Sequence, residues 1–183
     1  MIKLTLISIV GIIGLLLFVA LLVKKQYTIE REITINKPKN EVFSYLKQLK
    51  NQEKYSKWVM ADPEMKKEYR GTDGTVGFVY AWNGNQQAGQ GEQEIKQITE
   101  GERLDLEIRF IRPFAGVAQT PFITEAITEN QTKVKWGMTG GNPYPFNIMH
   151  LFMDSLLGKD LETSLANLKG ILEKEAPSVT VAN

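Results

Sequence analysis

Residues 4–23 carry no charge and read LTLISIVGIIGLLLFVALLV. A helix of this length spans about 30 Å, which is the thickness of the hydrocarbon core of a bilayer. Lys3 precedes the run, and Lys24 and Lys25 follow it. We therefore predict a membrane anchor over residues 1–25 that crosses the bilayer once, through residues 4–23.

Two other interpretations of this run stay open at the level of sequence. A cleaved signal peptide has a shorter apolar region and small residues at its cleavage site, whereas residues 17–25 read LFVALLVKK. A helix buried in a soluble core is the third interpretation. Because the positive charges on the two flanks nearly balance, the orientation of the anchor stays open as well.

Composition excludes several classes of partner. The 22 basic and 21 acidic residues leave a net charge of +1, whereas binding to nucleic acid needs a concentrated basic surface. The chain has no cysteine and one histidine, His150, so a transition-metal site would need carboxylates for nearly every ligand. We predict no nucleic-acid partner, no metal and no cofactor. We expect His150 on a helix surface or at a cavity rim.

The hydrophobic pattern after the anchor changes its period along the chain. Residues 27–36 alternate between apolar and polar side chains, which predicts a strand. Residues 36–58 contain two short segments with helical spacing, and residues 66–139 contain six strand-like segments separated by turns. Residues 146–174 predict one long helix, with an apolar stripe on its later half and a break or kink near Gly158.

This order of elements, β-α-α-β6-α, belongs to the α+β class. Six closely spaced strands favour an antiparallel meander over parallel βαβ units. We predict a helix-grip fold over residues 26–175, in which a curved antiparallel sheet of about seven strands wraps around one long C-terminal helix. A cavity is expected between the sheet and this helix. Residues 176–183 are expected to form a flexible tail.

Several segments carry a resemblance to a known superfamily. They read ITINKPKNEVFSYLKQLKN with YSKW after it, GTVGFVYAWNGN, GQGEQEIKQITEGERLDLEIRF with PF following, TKVKWGMTGG, and LFMDSLLGKDLETSLANLK. In this order they resemble the START-like SRPBCC superfamily, most closely its bacterial polyketide cyclase/dehydrase-like branch, over all but the anchor and the tail. The resemblance implies functions that range from lipid and steroid carriage to polyketide cyclisation and ligand sensing. No catalytic signature of the family maps onto this sequence.

Strand alternation selects the side chains expected to line the cavity. An apolar and aromatic lining suits a flat or acyl ligand, although the same side chains could simply fill the core. The apolar candidates are Phe78, Tyr80, Trp82, Leu106, Ile108, Phe122, Trp136 and Met138 from the strands, with Phe152 and Met153 from the final helix.

Arg31 and Gln93 are the polar residues expected on the inner face. Arg31 shares its face with Ile29 and Ile33, where a charge is costly unless it is paired. Its planar guanidinium could bind a ligand carboxylate or carbonyl. Alternatively, it pairs with a nearby acid or reaches solvent. Gln93 is the second polar candidate for ligand binding, with the same two interpretations.

We therefore predict a membrane-anchored START-like domain that binds a hydrophobic small molecule or lipid. The first alternative is an enzyme of the cyclase/dehydratase kind, in which Arg31, Tyr80 or Gln93 polarises a substrate carbonyl. The second alternative is a membrane-tethered interaction module without a ligand. No catalytic residue is assigned from the sequence.

Overall fold

The structure, a computed structural model, describes residues 2–174, so the predicted tail of residues 176–183 lies outside the described part of the chain. The helices are α1 (Ile2–Leu22), α2 (Lys39–Lys47), α3 (Gln52–Tyr55), α4 (Lys57–Met60) and α5 (His150–Lys174), with 3₁₀ turns at Leu49–Asn51 and Phe146–Met149. The strands are β1 (Gln26–Ile35), β2 (Lys66–Arg70), β3 (Val79–Asn83), β4 (Gln90–Thr99), β5 (Arg103–Arg112), β6 (Gly116–Gln119), β7 (Phe122–Thr128) and β8 (Gln131–Gly141).

All eight strands form one antiparallel sheet. Its order is β1-β8-β6-β5-β4-β3-β2, and β7 also pairs with β5 and β8. Strands β6 and β7 therefore share one position in the sheet. The register of β1 on β8 runs from Gln26 opposite Gly141 to Ile35 opposite Thr132. We call the two ends of the sheet, taken along the direction of β8, the Gly141 end and the Thr132 end.

The sheet has eight strands rather than the seven predicted, because residues 117–127 form two strands instead of one. Pro121 interrupts the ladder since it has no amide hydrogen to donate. The amide of Thr120 donates to the carbonyl of Leu106 at 2.8 Å, and the carbonyl of Pro121 accepts from the amide of Gly137 at 3.0 Å. The second predicted helix is likewise divided, into α3 and α4.

Helix α5 packs along the inner face of the sheet, as the helix-grip prediction requires. Its apolar stripe is buried through Leu161, Leu165, Leu168 and Leu172. The helix continues without a break through Gly158, so of the predicted break or kink the break is wrong and the kink stays a prediction. A β-carbon at this position would overlap the guanidinium of Arg31 from β1. The glycine therefore makes room for a side chain of the sheet and does not end the helix.

The hydrophobic core is densest towards the Thr132 end. Helix α2 covers this region and buries Val42, Phe43 and Leu46 because these side chains share one helical face. They pack with the buried half of α5 and with inner-face strand residues in one cluster, which includes Ile35 and Val134. The helices thus fill the concave side of the sheet at this end.

Helix α1 extends from the start of β1, and most of its described side chains are exposed. The segment Thr5–Leu22 is long enough and apolar enough to cross a membrane, and very little of it is buried against the rest of the chain. A core helix of a soluble domain would be mostly buried, so this segment is not part of the core described above.

A charge cluster centred on Arg109 lies on the outer face of β4 and β5. The guanidinium is 2.8 Å from a carboxylate oxygen of Glu92 and 2.8 Å from one of Glu94, and it also pairs with Glu107. The hydrogen bonds from Arg109 hold the pKa values of the Glu92 and Glu94 carboxyls below their usual range. Solvent screens these half-exposed pairs, so their stabilisation is modest.

We expect Arg109→Met to lower the free energy of unfolding by about 1 kcal/mol at neutral pH. Because the folded-state pKa values of Glu92 and Glu94 are depressed, the ionised pairs stabilise the fold above the unfolded value of about 4.3. Their contribution is lost as the pH falls through the folded-state values. Urea unfolding of both proteins at neutral and acidic pH should show the difference shrinking below about pH 4. A difference independent of pH would contradict this assignment.

Candidate functional site

A cavity of about 370 Å³ lies between the sheet and the first turns of α5. This volume falls in the range of about 300–1,000 Å³ found for small-molecule sites. Strands β3, β4, β5, β6 and β8 contribute to its wall, and α3, α4 and α5 close the opposite side. The cavity occupies the half of the sheet near the Gly141 end.

The position of the cavity follows from what faces each strand. On β5, Leu104 and Leu106 are fully buried in the core, whereas Ile108 and Phe110, nearer the Gly141 end, line the cavity. The core residues belong to the same hydrophobic cluster as the buried side chains of α2 and the later half of α5. The residues nearer the Gly141 end face Met153 and Leu157, which are only half-buried. The same inner face therefore changes from core to cavity along the strand.

The structure brings many of the predicted site residues together in this wall. Those that line the cavity are Tyr80, Trp82, Gln93, Ile108, Trp136, Met138 and Met153. Phe78, Leu106 and Phe122 lie in the core cluster instead, each almost fully buried. Phe152, beside Met153 on α5, is 55% exposed and does not line the cavity.

Arg31 lies outside the cavity and joins β1 to α5. Its Nε donates to Glu162 at 2.6 Å, and its Nη2 donates to Asp154 at 3.0 Å. These hydrogen bonds raise the pKa of the guanidinium above its ordinary value, and the bond to Glu162 contributes most. Of the three side chains proposed from the sequence to polarise a carbonyl, only Tyr80 and Gln93 therefore lie in the cavity wall.

Other cavity residues were missed from the sequence. They are Tyr27, Gln52, Ser56, Trp58, Val59, Met65, Gln87, Ala88, Phe110, Arg112, the turn of residues 113–116, Val117, Ala118, Gly141, Asn142 and Leu157. Phe110 alternates in phase with Ile108, so the strand pattern contained the signal for it. Gln52 lies on α3 and Trp58 on α4, with Ser56 between the two helices. No local pattern in the sequence indicates where these helices lie over the sheet.

Arg31 and Arg112 form a matched pair for testing which of the two guanidinium groups contributes to ligand binding. Arg112 lines the cavity and donates to Gln90 Oε1 at 3.0 Å. We expect Arg31→Met to lower the free energy of unfolding by about 1 kcal/mol, since its ion pairs are partly exposed, and to leave ligand affinity unchanged. Arg112→Met should alter affinity with less effect on stability. Denaturation and binding titrations of both variants test this. Weaker binding in Arg31→Met alone would contradict it.

The inner end of the cavity contains hydrogen-bond donors that lack partners among the described residues. They are the hydroxyl of Tyr80, the indole N–H of Trp136 and the amide nitrogen of Gln52, all buried. The Gln93 amide is buried as well and makes one long bond, of 3.4 Å, to Thr120 Oγ1. A buried donor without an acceptor costs about 1–3 kcal/mol. An oxygen acceptor on a ligand would remove that cost.

The cavity wall is weakly charged. Its ionisable side chains, within residues 2–174, are Tyr27, Tyr80 and Arg112. Burial raises the pKa values of the Tyr27 and Tyr80 hydroxyls, and the negative charge of Glu53 raises that of Tyr80 further. Both tyrosines therefore stay protonated near neutral pH and can donate hydrogen bonds. An apolar space whose donors are mostly neutral suits a hydrophobic ligand that contains oxygen.

His150 joins the link after α1 to the start of α5. Its Nδ1 is 2.9 Å from the carbonyl oxygen of Lys24, and its ring contacts that of Tyr27 edge-on, with centroids 5.1 Å apart. These are structural contacts at the cavity rim, because Tyr27 lines the cavity. In the described part of the chain no group of three or more histidine or carboxylate side chains is placed to hold a metal ion.

Solved structures of other proteins share this fold. Norcoclaurine synthase from Thalictrum flavum, in complex with dopamine and hydroxybenzaldehyde, matches with a TM-score of 0.64 at 8% identity, over 82% of this chain and 88% of its own. Ara h 8.0201 matches with a TM-score of 0.55 at 18% identity, over 82% and 99%. A protein from Rhizobium leguminosarum matches with a TM-score of 0.56 at 14% identity, over 82% and 96%. At such identities the likeness shows the fold alone.

Comparison by sequence identifies the family. None of the curated proteins compared with this chain matches it. A family model described as polyketide cyclase/dehydrase and lipid transport matches residues 26–173. That match begins with β1 and extends through nearly all of α5. This chain therefore belongs to the polyketide cyclase/dehydrase and lipid transport family, with the helix-grip fold of the SRPBCC superfamily.

Proposed function

We propose that this chain binds a hydrophobic small molecule or lipid in the cavity, as a domain anchored to a membrane by α1. The observation that carries the proposal is the cavity itself, with aromatic and aliphatic walls and, at its inner end, donors that have no partner within residues 2–174. Trp82, Ile108 and Met138 offer apolar contact to a ring system or an acyl chain. Norcoclaurine synthase, which shares the fold, was solved with small aromatic molecules bound.

The donors at the inner end favour a ligand with an oxygen acceptor. Tyr80, Trp136 and Gln52 each contribute one buried donor without a partner in the described structure. A carbonyl, ether or hydroxyl oxygen would accept from one or two of them, while the rest of the ligand stays among apolar side chains. The expected ligand thus has an apolar body and a polar end that enters first.

Anchoring by α1 supports the same function. Ligands of this kind partition into bilayers, so a tethered cavity encounters them at a high local concentration. The segment Thr5–Leu22 has the length and composition for a single span. Lys24 and Lys25 follow it, where cationic side chains suit lipid headgroups.

Tryptophan fluorescence gives a direct test of ligand entry. All three tryptophans of the chain, Trp58, Trp82 and Trp136, line the cavity. We expect a nitroxide-labelled fatty acid, titrated into the full chain in detergent micelles, to quench their emission in a saturable way that an unlabelled fatty acid reverses. Quenching that increases linearly without saturation, or none at all, would contradict binding in this cavity.

Tyr80→Phe tests the role of the donors separately. We expect native protein to bind a tricyclic aromatic ketone about tenfold more tightly than the parent hydrocarbon, because the ketone supplies an acceptor. Removing the hydroxyl should lower the ratio of the affinity for the ketone to that for the hydrocarbon, while the affinity for the hydrocarbon stays unchanged. Equal affinities for both compounds in the native protein would show that the donors do not select the ligand.

Tyr80 also favours the second candidate function, an enzyme of the cyclase/dehydratase kind. A protonated tyrosine hydroxyl in an apolar cavity can stabilise negative charge that develops on a substrate carbonyl oxygen. In that case Tyr80→Phe would abolish the conversion of a model polyketide while binding persists. If the native protein binds the model polyketide without converting it, the enzyme is contradicted and ligand binding remains the proposed function.

A further inference from the structure

We propose that the surface around the cavity mouth rests on the bilayer, so that ligands pass between lipid and cavity without crossing water. This rim surface consists of Phe114, Val117, Phe146, Met149, Phe152 and Leu156. The inference rests on the proposed function, both for the anchor and for the binding cavity, and adds the direction in which the cavity opens.

The mouth is formed by exposed cavity residues of the β5–β6 turn and of the first residues of β6. Phe114 is 84% exposed and Val117 is 53% exposed, yet both line the cavity. Asn142 lines it as well, and its backbone N–H donates to the carbonyl of Lys25 at 3.2 Å. Lys25 lies in the short link between α1 and β1. The mouth is therefore joined by a hydrogen bond to the segment that leaves the anchor.

Asn147 holds the end of the anchor in place. Its side-chain amide donates to the carbonyls of Ala20 and Val23, at 2.7 Å each, and the residue is 1% exposed. The last carbonyls of a helix need such partners, because no further turn of the helix supplies them. His150 adds a contact to the Lys24 carbonyl at 2.9 Å. With Thr5–Leu22 in the bilayer, the membrane surface must lie at the level of Asn147.

Apolar side chains are exposed at this same level. Phe146 and Met149 lie in the same 3₁₀ turn as Asn147 and are 66% and 45% exposed. Phe152 and Leu156, one and two turns further on, are also exposed and lie beside the cavity-lining Met153 on α5. Soluble surfaces rarely expose large apolar patches, and these four exposed side chains lie within eleven residues of one another in the chain. A bilayer is favoured over a second copy of the chain, because the patch continues directly from the anchor.

Single labels can measure the position of this surface, because the chain has no native cysteine. Nitroxides would be attached at Phe114→Cys and Phe152→Cys in the full chain, reconstituted in vesicles of phosphatidylcholine with some phosphatidylglycerol. Leu15→Cys reports on the anchor. Ile127→Cys is the aqueous control, since Ile127 is exposed and lies beside the Thr132 end of β8, about 30 Å from the Gly141 end. Collisions with dissolved oxygen and with a water-soluble nickel complex are then compared by electron paramagnetic resonance.

We expect labels at 114 and 152 to lie about 5–10 Å within the interface, so that the oxygen-to-nickel collision ratio exceeds that at 127 by about threefold or more. If the label at 15 is in lipid and those at 114 and 152 behave like 127, the inference is overturned while the anchor stands. Protection from both reagents would mean a protein neighbour and would also overturn it. A water-accessible label at 15 would contradict both the proposed membrane anchor and the inference about the rim surface. Saturable tryptophan quenching in the same vesicles decides the binding function independently.

Discussion

Replacing Ile108 with tryptophan is expected to weaken ligand binding by at least about tenfold, equivalent to about 1.4 kcal/mol, while the protein stays folded. Ile108 lies on β5 between Gln93 and Ala118, its partners on β4 and β6, and all three line the cavity. An indole at this position occupies space that the ligand needs. Because the space is otherwise open, the larger side chain enters with less strain than it would in a packed core.

The measurement is the immobilised fraction of a nitroxide-labelled fatty acid, which does not depend on the added fluorophore. Ile127→Trp is the matched control, because it makes the same change at an exposed position outside the cavity. It should bind as the native chain does. If Ile108→Trp retained native affinity while remaining folded, the ligand would have to bind elsewhere.

Trp136→Ala is expected to lower the free energy of unfolding by about 3–5 kcal/mol. Trp136 is 2% exposed and stacks on Phe122 with ring centroids 4.5 Å apart. It also meets Trp58 of α4 and Tyr55 of α3 edge-on, at 5.8 Å and 6.1 Å. The indole thus joins β8 to β7 and to the helices that close the cavity, and alanine would remove these contacts together.

Chemical denaturation of the full chain in detergent, followed by far-ultraviolet circular dichroism, measures this loss. Trp82→Ala is the control, because Trp82 also lines the cavity but is only half-buried and lies at the periphery, on β3. Its loss of stability should be less than half as large. Equal losses for the two variants would contradict the central position assigned to Trp136.

The strand pattern of the sequence predicted which side chains face inward, because alternation has a period of two in any strand. It did not distinguish core from cavity. Leu106 and Ile108 share one face of β5, yet one is packed in the core and the other lines an open space. The difference depends on where α2 and α5 cross the sheet, and that position is set by tertiary packing.

Arg31 illustrates a second limit of prediction from the sequence. Its place among isoleucines correctly indicated that the charge needs a partner, but the partners, Asp154 and Glu162, are more than a hundred residues away in the chain. The division between β6 and β7 is different, because Pro121 is visible in the sequence and a proline within a strand is a known signal of interruption. The prediction of a single strand over residues 117–127 was wrong because it considered only hydrophobic alternation and not the backbone N–H that Pro121 lacks.

The most direct test of the account is native mass spectrometry of the full chain, extracted from the membranes of cells that produce it and released from detergent. We expect the native protein to retain a bound hydrophobic molecule that contains oxygen, and Ile108→Trp, purified in the same way, to be free of it. A native chain that is empty after every extraction, and that also fails to bind the fatty-acid and aromatic probes, would contradict ligand binding as its function.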